Sequence, residues 1–218
     1  MAGHALAARP GAGRSRIIAL VGIDGSGKTT QAHRLADELA AEGLPARYLQ
    51  NAGGRRWLGR LARRVGRRDA QRLLGRRGLL LVESVLRWLA IARALLRARL
   101  RGGVAVMDRY SYCQYASIRA HLDLGRPMPR LRHGERLARL AYRAFPAPDV
   151  TFLLSVDPWE AHRRIEARGT DHESMEYLIA AAAAYRGLPE WGSFVVVDAN
   201  NSLDEVAAEI RFHLECRT

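Results

Sequence analysis

A three-layer α/β fold, five parallel strands with helices on both faces, is the class this sequence predicts. Three observations carry that reading. Five short apolar runs alternate with helix-like stretches, the pattern of parallel strands joined by helical crossovers. A glycine-rich turn, "GIDGSGKT" from Gly22 to Thr29, separates the first run from the first helix. The chain has 218 residues, 48% of them apolar, and no repeat or linker-like stretch divides it. That length and composition suit one domain with a sizeable core.

The elements follow in order. "RIIALVGI" (Arg16–Ile23) is a β-branched run closed by glycines, as a buried parallel strand should be. A helix is expected from Lys28 to Ala41, stopped by Gly43. "ARYLQ" (Ala46–Gln50) is a weaker second strand, and two helical stretches follow, Trp57–Leu74 and Leu79–Leu100. "VAVMD" (Val104–Asp108) is the third strand, announced by Gly102 and Gly103. Helices are expected over Tyr112–Leu122 and Leu131–Phe145, and "DVTFLLSV" (Asp149–Val156) is the fourth strand. Pro158 suits the first turn of a helix reaching Arg168. A break at Gly169–Thr170 precedes a helix through Tyr185. "SFVVVDA" (Ser193–Ala199) is the last strand and Ser202–Leu214 the last helix. Residues 1–15, rich in Ala, Gly and Arg, are expected to be a loose tail, and 16–218 the single domain.

The most apolar window, Gly78–Leu100, is interrupted by Glu83, Arg87, Arg93, Arg97 and Arg99. Charges at that density exclude a membrane span, so no membrane partner is expected. Cys113 and Cys216 lie far apart without metal-type spacing, which suits a reduced, cytoplasmic setting. The net charge of +13 favours anionic partners without choosing among them. Arg55 to Arg77 holds ten arginines and one acid, Asp69. Its apolar residues keep a helical stripe and its aromatics are too few for single-strand stacking, so a solvated helix face is the expectation and nucleic acid is not.

Of the 35 basic residues, Lys28 is the single lysine and 34 are arginines. Lys28 belongs to G-x-x-x-x-G-K-[ST], here Gly22, Gly27, Lys28 and Thr29. After a strand and before a helix, this pattern reads as a phosphate-binding P-loop. Glycines let backbone N–H groups converge on phosphate oxygens, and the helix N-terminus adds partial positive charge. Gly22, Asp24, Gly25, Ser26, Gly27, Lys28, Thr29 and Thr30 are therefore the expected ATP cradle, with the Thr29 hydroxyl directed at Mg²⁺. Lysine is a compact charge on a thin stem, and arginine a broad fork. A base-composition bias that converts surface lysines spares the position where only the thin stem fits.

Asp108 ends the third strand, and carboxyl ends of neighbouring strands in a doubly wound sheet face one crevice. Asp108 is thus a second candidate for Mg²⁺ or for orienting the acceptor, and Arg109 a bidentate phosphate clamp.

With "GIDGSGKTTQ", the glycine pair of "QNAGGRRW", "DRY" at Asp108–Tyr110, "VDPWEAHRRIEARG" and "VVDANNSLDEVAAEI" in view, the chain resembles the thymidylate kinases from Arg16 onward. The resemblance implies a P-loop NTPase fold with a short lid near 163–174, transfer of the γ-phosphoryl of ATP to dTMP, Mg²⁺, and a homodimer. It implies catalytic roles for Lys28, Asp108, Arg109 and the lid arginines Arg164 and Arg168. It places Asp198 and Asn200 beside adenine, and Arg87 and Arg109 around the nucleotide acceptor. Gln114 is a further acceptor-binding candidate, Tyr110 is another with core packing as its alternative, and Arg55 or Arg56 would replace the phosphate-binding arginine that the family carries where Gln50 stands. The sequence departs from the family at the base-reading places: Gln50 precedes "NAGG", Glu83 stands four before Arg87, and Cys113, Ala116, Ser117 and Ile118 follow "DRY". Two alternatives therefore stay open on sequence grounds: the same chemistry on another nucleoside, nucleotide or small metabolite, and a basic nucleic-acid-binding P-loop NTPase.

Overall fold

All five strands form and pair in parallel in a computed structural model that describes residues 15–51, 67–124, 131–169 and 172–216. They are β1 (Arg16–Val21), β2 (Ala46–Gln50), β3 (Val104–Asp108), β4 (Val150–Ser155) and β5 (Val195–Asp198), in the spatial order β2-β3-β1-β4-β5. The central strands are apolar on both faces. Ile17 to Val21 of β1 and all of β3 are buried, because helices cover both sides. The edge strand β5 alternates buried and exposed residues instead. Each fully buried Ile, Leu or Val contributes about 1.5–3 kcal/mol relative to exposure, so the middle of the sheet anchors the fold.

The helices are α1 (Lys28–Ala41), α2 (Arg67–Arg101), α3 (Ser111–Asp123), α4 (Leu131–Tyr142), α5 (Pro158–Arg168), α6 (Met175–Arg186) and α7 (Leu203–Glu215). Local chemistry sets their ends. Asp157 caps α5 by accepting from Trp159 N, Pro158 fills its first turn, and Gly169 closes it at φ 66°. Ser202 and Glu205 form a reciprocal capping box at α7.

Three boundaries differ from expectation. Arg67 to Arg101 is one helix, running through Gly75 and Gly78 where a break was expected. A glycine inside a helix costs only about 1 kcal/mol relative to alanine, and strong helix formers flank both positions. The Trp57–Gly66 part of that expectation lies outside the described residues. The helix from Leu131 stops at Tyr142, ahead of Pro146 and Pro148. Trp191–Ser193 forms a 3₁₀ turn, and strand geometry begins only at Val195.

The topology fixes where the site lies. β1 sits between β3 and β4, so the strand order reverses there, and Leu20 pairs in register with Asp108. The loop leaving β1 and the end of β3 therefore open into the same crevice.

Candidate active site

The loop from Gly22 to Gly27 curls because its glycines take backbone angles closed to other residues. Gly22 has φ 148°, and a Cβ there would stand 2.6 Å from Leu154 O and 2.8 Å from Ser26 Oγ. Gly25 has φ 84°, and a Cβ there would lie 2.5 Å from Ala161 O, so the loop rests directly on α5. Gly27 caps α1 in the left-handed region with no side-chain hydrogen bond, and no acid stands in the first turn of α1. The first N–H groups of a fourteen-residue helix thus remain available to an anion.

Lys28 folds back into this loop. Its Nζ donates to Ile23 O at 2.6 Å and to Ser26 Oγ at 3.3 Å, and lies 3.9 Å from Asp24 Oδ1. The side chain is 4% exposed, which leaves no room for a guanidinium fork. Burial, and then the neighbouring Arg109 charge, push the ammonium below its ordinary 10.5, while Asp24 and Asp108 hold it up. Tyr185 of α6 pins the start of the loop: its hydroxyl donates to Gly22 O at 3.1 Å and accepts from Gly22 N at 3.2 Å.

Across the crevice, Asp108 is 2% exposed. Its Oδ2 accepts from Thr29 Oγ1 at 2.7 Å and from Tyr48 OH at 3.0 Å, and its Oδ1 is buried with no hydrogen-bond partner among the described residues. A buried carboxylate oxygen left without a donor or cation is costly. One carboxylate and one hydroxyl, completed by phosphate oxygens and water, is the hard-oxygen set that Mg²⁺ takes, so Thr29 and Asp108 fit that ion. Among the described residues no group of three or more His, Cys, Asp or Glu side chains is placed to hold a metal without a ligand's help.

Arg109 adopts φ 76°, the only described non-glycine residue at positive φ. Its guanidinium pairs with Asp24 Oδ1, the oxygen that Lys28 also approaches. Burial works against the Arg109 charge, but the carboxylates of Asp24 and Asp108 outweigh it and raise its pKa above the usual arginine range. Beyond Arg109 a cleft is lined by Asp24, Arg87, Cys113, Ser117, Tyr177 and Tyr185, among others. Arg87, 7% exposed, donates to Gln114 Oε1 at 2.6 Å, and Gln114 Nε2 donates to Ser84 Oγ at 3.1 Å. Tyr177 OH donates to Ser117 Oγ at 3.1 Å, tying α6 to α3 across the cleft.

A family model for thymidylate kinase matches residues 20–210. The chain belongs to the thymidylate kinase family. A probable thymidylate kinase of Archaeoglobus fulgidus is 30% identical over 203 residues, covering 91% of this chain and 94% of that protein. The thymidylate kinase of Leifsonia xyli subsp. xyli is 31% identical over 214 residues, with 92% and 94% covered. Among solved structures, deoxyadenosine kinase from M. mycoides with bound dATP aligns with a TM-score of 0.69 at 16% identity, covering 92% of this chain and 99% of that one. That likeness is one of fold.

As a thymidylate kinase family member the chain is a phosphotransferase with ATP as donor. Its expected site residues do not all fall together. Gly22, Asp24, Gly25, Ser26, Gly27, Lys28, Thr29, Asp108 and Arg109 come together at one mouth, with Thr30 on the exposed face of α1. Arg87 and Gln114 meet at the cleft. Tyr110 does not face it: 2% exposed, the ring sits in the core and the hydroxyl donates to Pro146 O at 2.5 Å. Arg55 lies outside the described residues.

On the lid side, Arg164 and Arg168 are the two candidates for an arginine that closes over the phosphates. Arg164 donates to Glu160 at 2.7 Å and to Ala199 O at 3.0 Å, so it stands beside the exit of β5. Arg163 and Arg164 together hold the Glu160 carboxyl down to about 2. Arg168 is exposed at the end of α5. Asp198 and Asn200 form a tight turn, with Asn200 N and Nδ2 both donating to Asp198 Oδ1 and Asp157 N donating to Asn200 Oδ1. Arg164 therefore shares a rim with these two residues in this state. Sequence reasoning missed Asn51, Tyr48 and Tyr177. No spacing marks them, since each reaches the site from an element distant in sequence.

Proposed function

We propose that this kinase transfers the γ-phosphoryl group of ATP to dTMP, yielding ADP and dTDP, and that Thr29 and Asp108 are the residues that would hold Mg²⁺, which would neutralise phosphate charge. One observation carries the reading: Thr29 Oγ1 and Asp108 Oδ2 lie 2.7 Å apart where β1 and β3 end, beside a cleft holding the buried Arg87 and the half-buried Arg109. Triphosphate cradle and acceptor cleft thus share one mouth. An acceptor phosphate oxygen forms a bond to the γ-phosphorus as the bond from that phosphorus to the β–γ bridging oxygen breaks. The side chains have no covalent chemistry to do. They align the two phosphates and neutralise charge as it spreads over the transferring group. Lys28 leaves Ile23 O for the phosphate oxygens, and Arg109 exchanges Asp24 for the acceptor phosphate. The identity of about 30% to thymidylate kinases over nine-tenths of the chain supports dTMP over other acceptors.

A panel of all nucleoside monophosphates with ATP and Mg²⁺ tests the assignment. Turnover of dTMP at least tenfold above every other acceptor is expected. Turnover of another acceptor with none of dTMP would refute it.

A homodimer belongs to the same proposal. Val85, Leu89, Leu96 and Leu100 of α2 form a stripe at helical spacing, 50–75% exposed, that no element among the described residues covers. Such a face suits a second copy. Leu96→Arg is expected to convert a dimer of the 24.2 kDa chain to monomer in sedimentation. Wild-type protein that sediments as a monomer at tens of micromolar would rule this out. No helix among the described residues is long and apolar enough to cross a membrane, and we place the reaction in the cytoplasm, where its nucleotides are dissolved.

A further inference from the structure

Asp108 and Arg109 adjoin in sequence, yet both side chains turn to the segment that follows β1, Asp108 to Thr29 in the first turn of α1 and Arg109 to Asp24 in the loop before it. In a strand, successive side chains point to opposite faces. The alternation is broken here by the left-handed backbone of Arg109, a conformation costing roughly 1–2 kcal/mol for a residue with a Cβ. Something must hold it. Arg109 N donates to Leu20 O at 3.1 Å, which fixes the entry to the turn. The exit is held by Asn51, the first residue after β2 and 0% exposed. Its backbone N donates to Asp108 O at 3.1 Å, extending the β2–β3 ladder by one bond. Its Nδ2 donates to Arg109 O at 2.8 Å and contacts Met107 Sδ at 3.3 Å. One residue thus grips both carbonyls of the Asp108–Arg109 pair. Asn51 does not line the cleft, and its remaining side-chain polar atom, Oδ1, is buried without a hydrogen-bond partner among the described residues.

We propose that Asn51 is a positioning residue for phosphoryl transfer: it holds the left-handed turn at Arg109 and so aims that guanidinium at the acceptor phosphate. This rests on the reading of Arg109 as the acceptor clamp. Without the Asn51 donor, the Arg109 carbonyl loses its hydrogen bond and the turn relaxes toward ordinary backbone angles. The guanidinium then swings away from Asp24 and from the place a phosphate would occupy. The cradle, held by Tyr185 and α5, keeps its shape.

Four proteins test this: wild type, Asn51→Leu, Arg109→Ala and the double variant, each checked by melting temperature. Leucine keeps the volume and lacks the donor, and Asn51→Ala serves if Asn51→Leu does not fold. Kinetics are measured with dTMP and, if another nucleoside monophosphate proves the better acceptor, with that one. Failure of the dTMP assignment and failure of the Asn51 role are then separate results. Asn51→Leu is expected to lower kcat/KM for the acceptor by about 10- to 100-fold, the cost of roughly an ångström of misplacement, while KM for ATP changes less than about threefold. In the Arg109→Ala background the same substitution is expected to add less than about threefold, because the group it aims is gone. A full additional loss in that background, an equal loss in ATP affinity, or unchanged kinetics in folded Asn51→Leu would each overturn the proposal.

Discussion

Lys28→Met is expected to lower kcat/KM by on the order of 10³-fold while leaving the protein folded and at least as stable as wild type. The two halves of that result have one cause. Lys28 is buried in the loop proposed to hold the triphosphate, and among the described residues its ammonium has Ile23 O, Ser26 and a distant Asp24 as partners. Burial lowers its pKa below 10.5, so the folded chain holds that proton less tightly than the unfolded chain does. Between the folded pKa and 10.5 the unfolded state binds more protons, and wild-type stability rises with pH across that window. Lys28→Met lacks this dependence. Its advantage in melting temperature is therefore largest below the window and shrinks as pH approaches 10.5. Steady-state kinetics and melts from pH 6 to 10.5 check both halves. A folded Lys28→Met protein with wild-type turnover would refute the role of the lysine.

Asp108→Asn is expected to cost about 10²-fold or more in kcat and to raise the Mg²⁺ concentration for half-maximal rate by about tenfold. Asparagine preserves the size of the side chain and an oxygen for Thr29 and Tyr48 to donate to, so the packing at the end of β3 survives. What it removes is the negative charge and the second oxygen, the buried Oδ1 that no group among the described residues satisfies. A Mg²⁺ titration of the rate, with melts as the control for folding, separates the outcomes. A lower rate with an unchanged Mg²⁺ response would move Asp108 from ion binding to acceptor orientation.

The parts of this molecule that could be read from sequence are those whose physics is local. β1, β3 and β4 are continuous apolar runs because both faces are covered, and that pattern needs no partner to be seen. The loop from Gly22 to Thr29 declares itself because each glycine answers a steric demand within a few residues, as at Gly22 against Ser26. Lys28 stood out by composition alone. Asp108 required one more step, the rule that neighbouring strands end at a common crevice, and the Leu20–Asp108 register satisfies it.

What stayed hidden depends on long-range register or on compensation. Asn51 matters because β2 ends level with β3, 57 residues away in the chain, a pairing that Asn51 N and Asp108 O complete. Tyr177 reaches Ser117 only because α6 lies against α3. For Tyr110 the sequence left both the cleft and the core open. The left-handed turn at Arg109 comes just before it, and its ring enters the core. Arg164 illustrates compensation: a helix position one turn past Glu160 and beside Ala199 gives it local partners that a helical wheel does not reveal. The continuous α2 shows the limit of glycine as punctuation, since two such residues cost less than a broken helix would.

The claim on which the functional reading depends is that the cradle and the strand-end carboxylate act on one bound phosphate chain. Phosphoryl transfer by wild type, Lys28→Met, Asp108→Asn and the double variant measures it most directly. Groups acting as a unit give non-additive losses. The double variant is expected to be no more than about tenfold slower than the slower single variant. Losses that multiply, leaving the double variant slower by the full product of the two, would contradict a shared site.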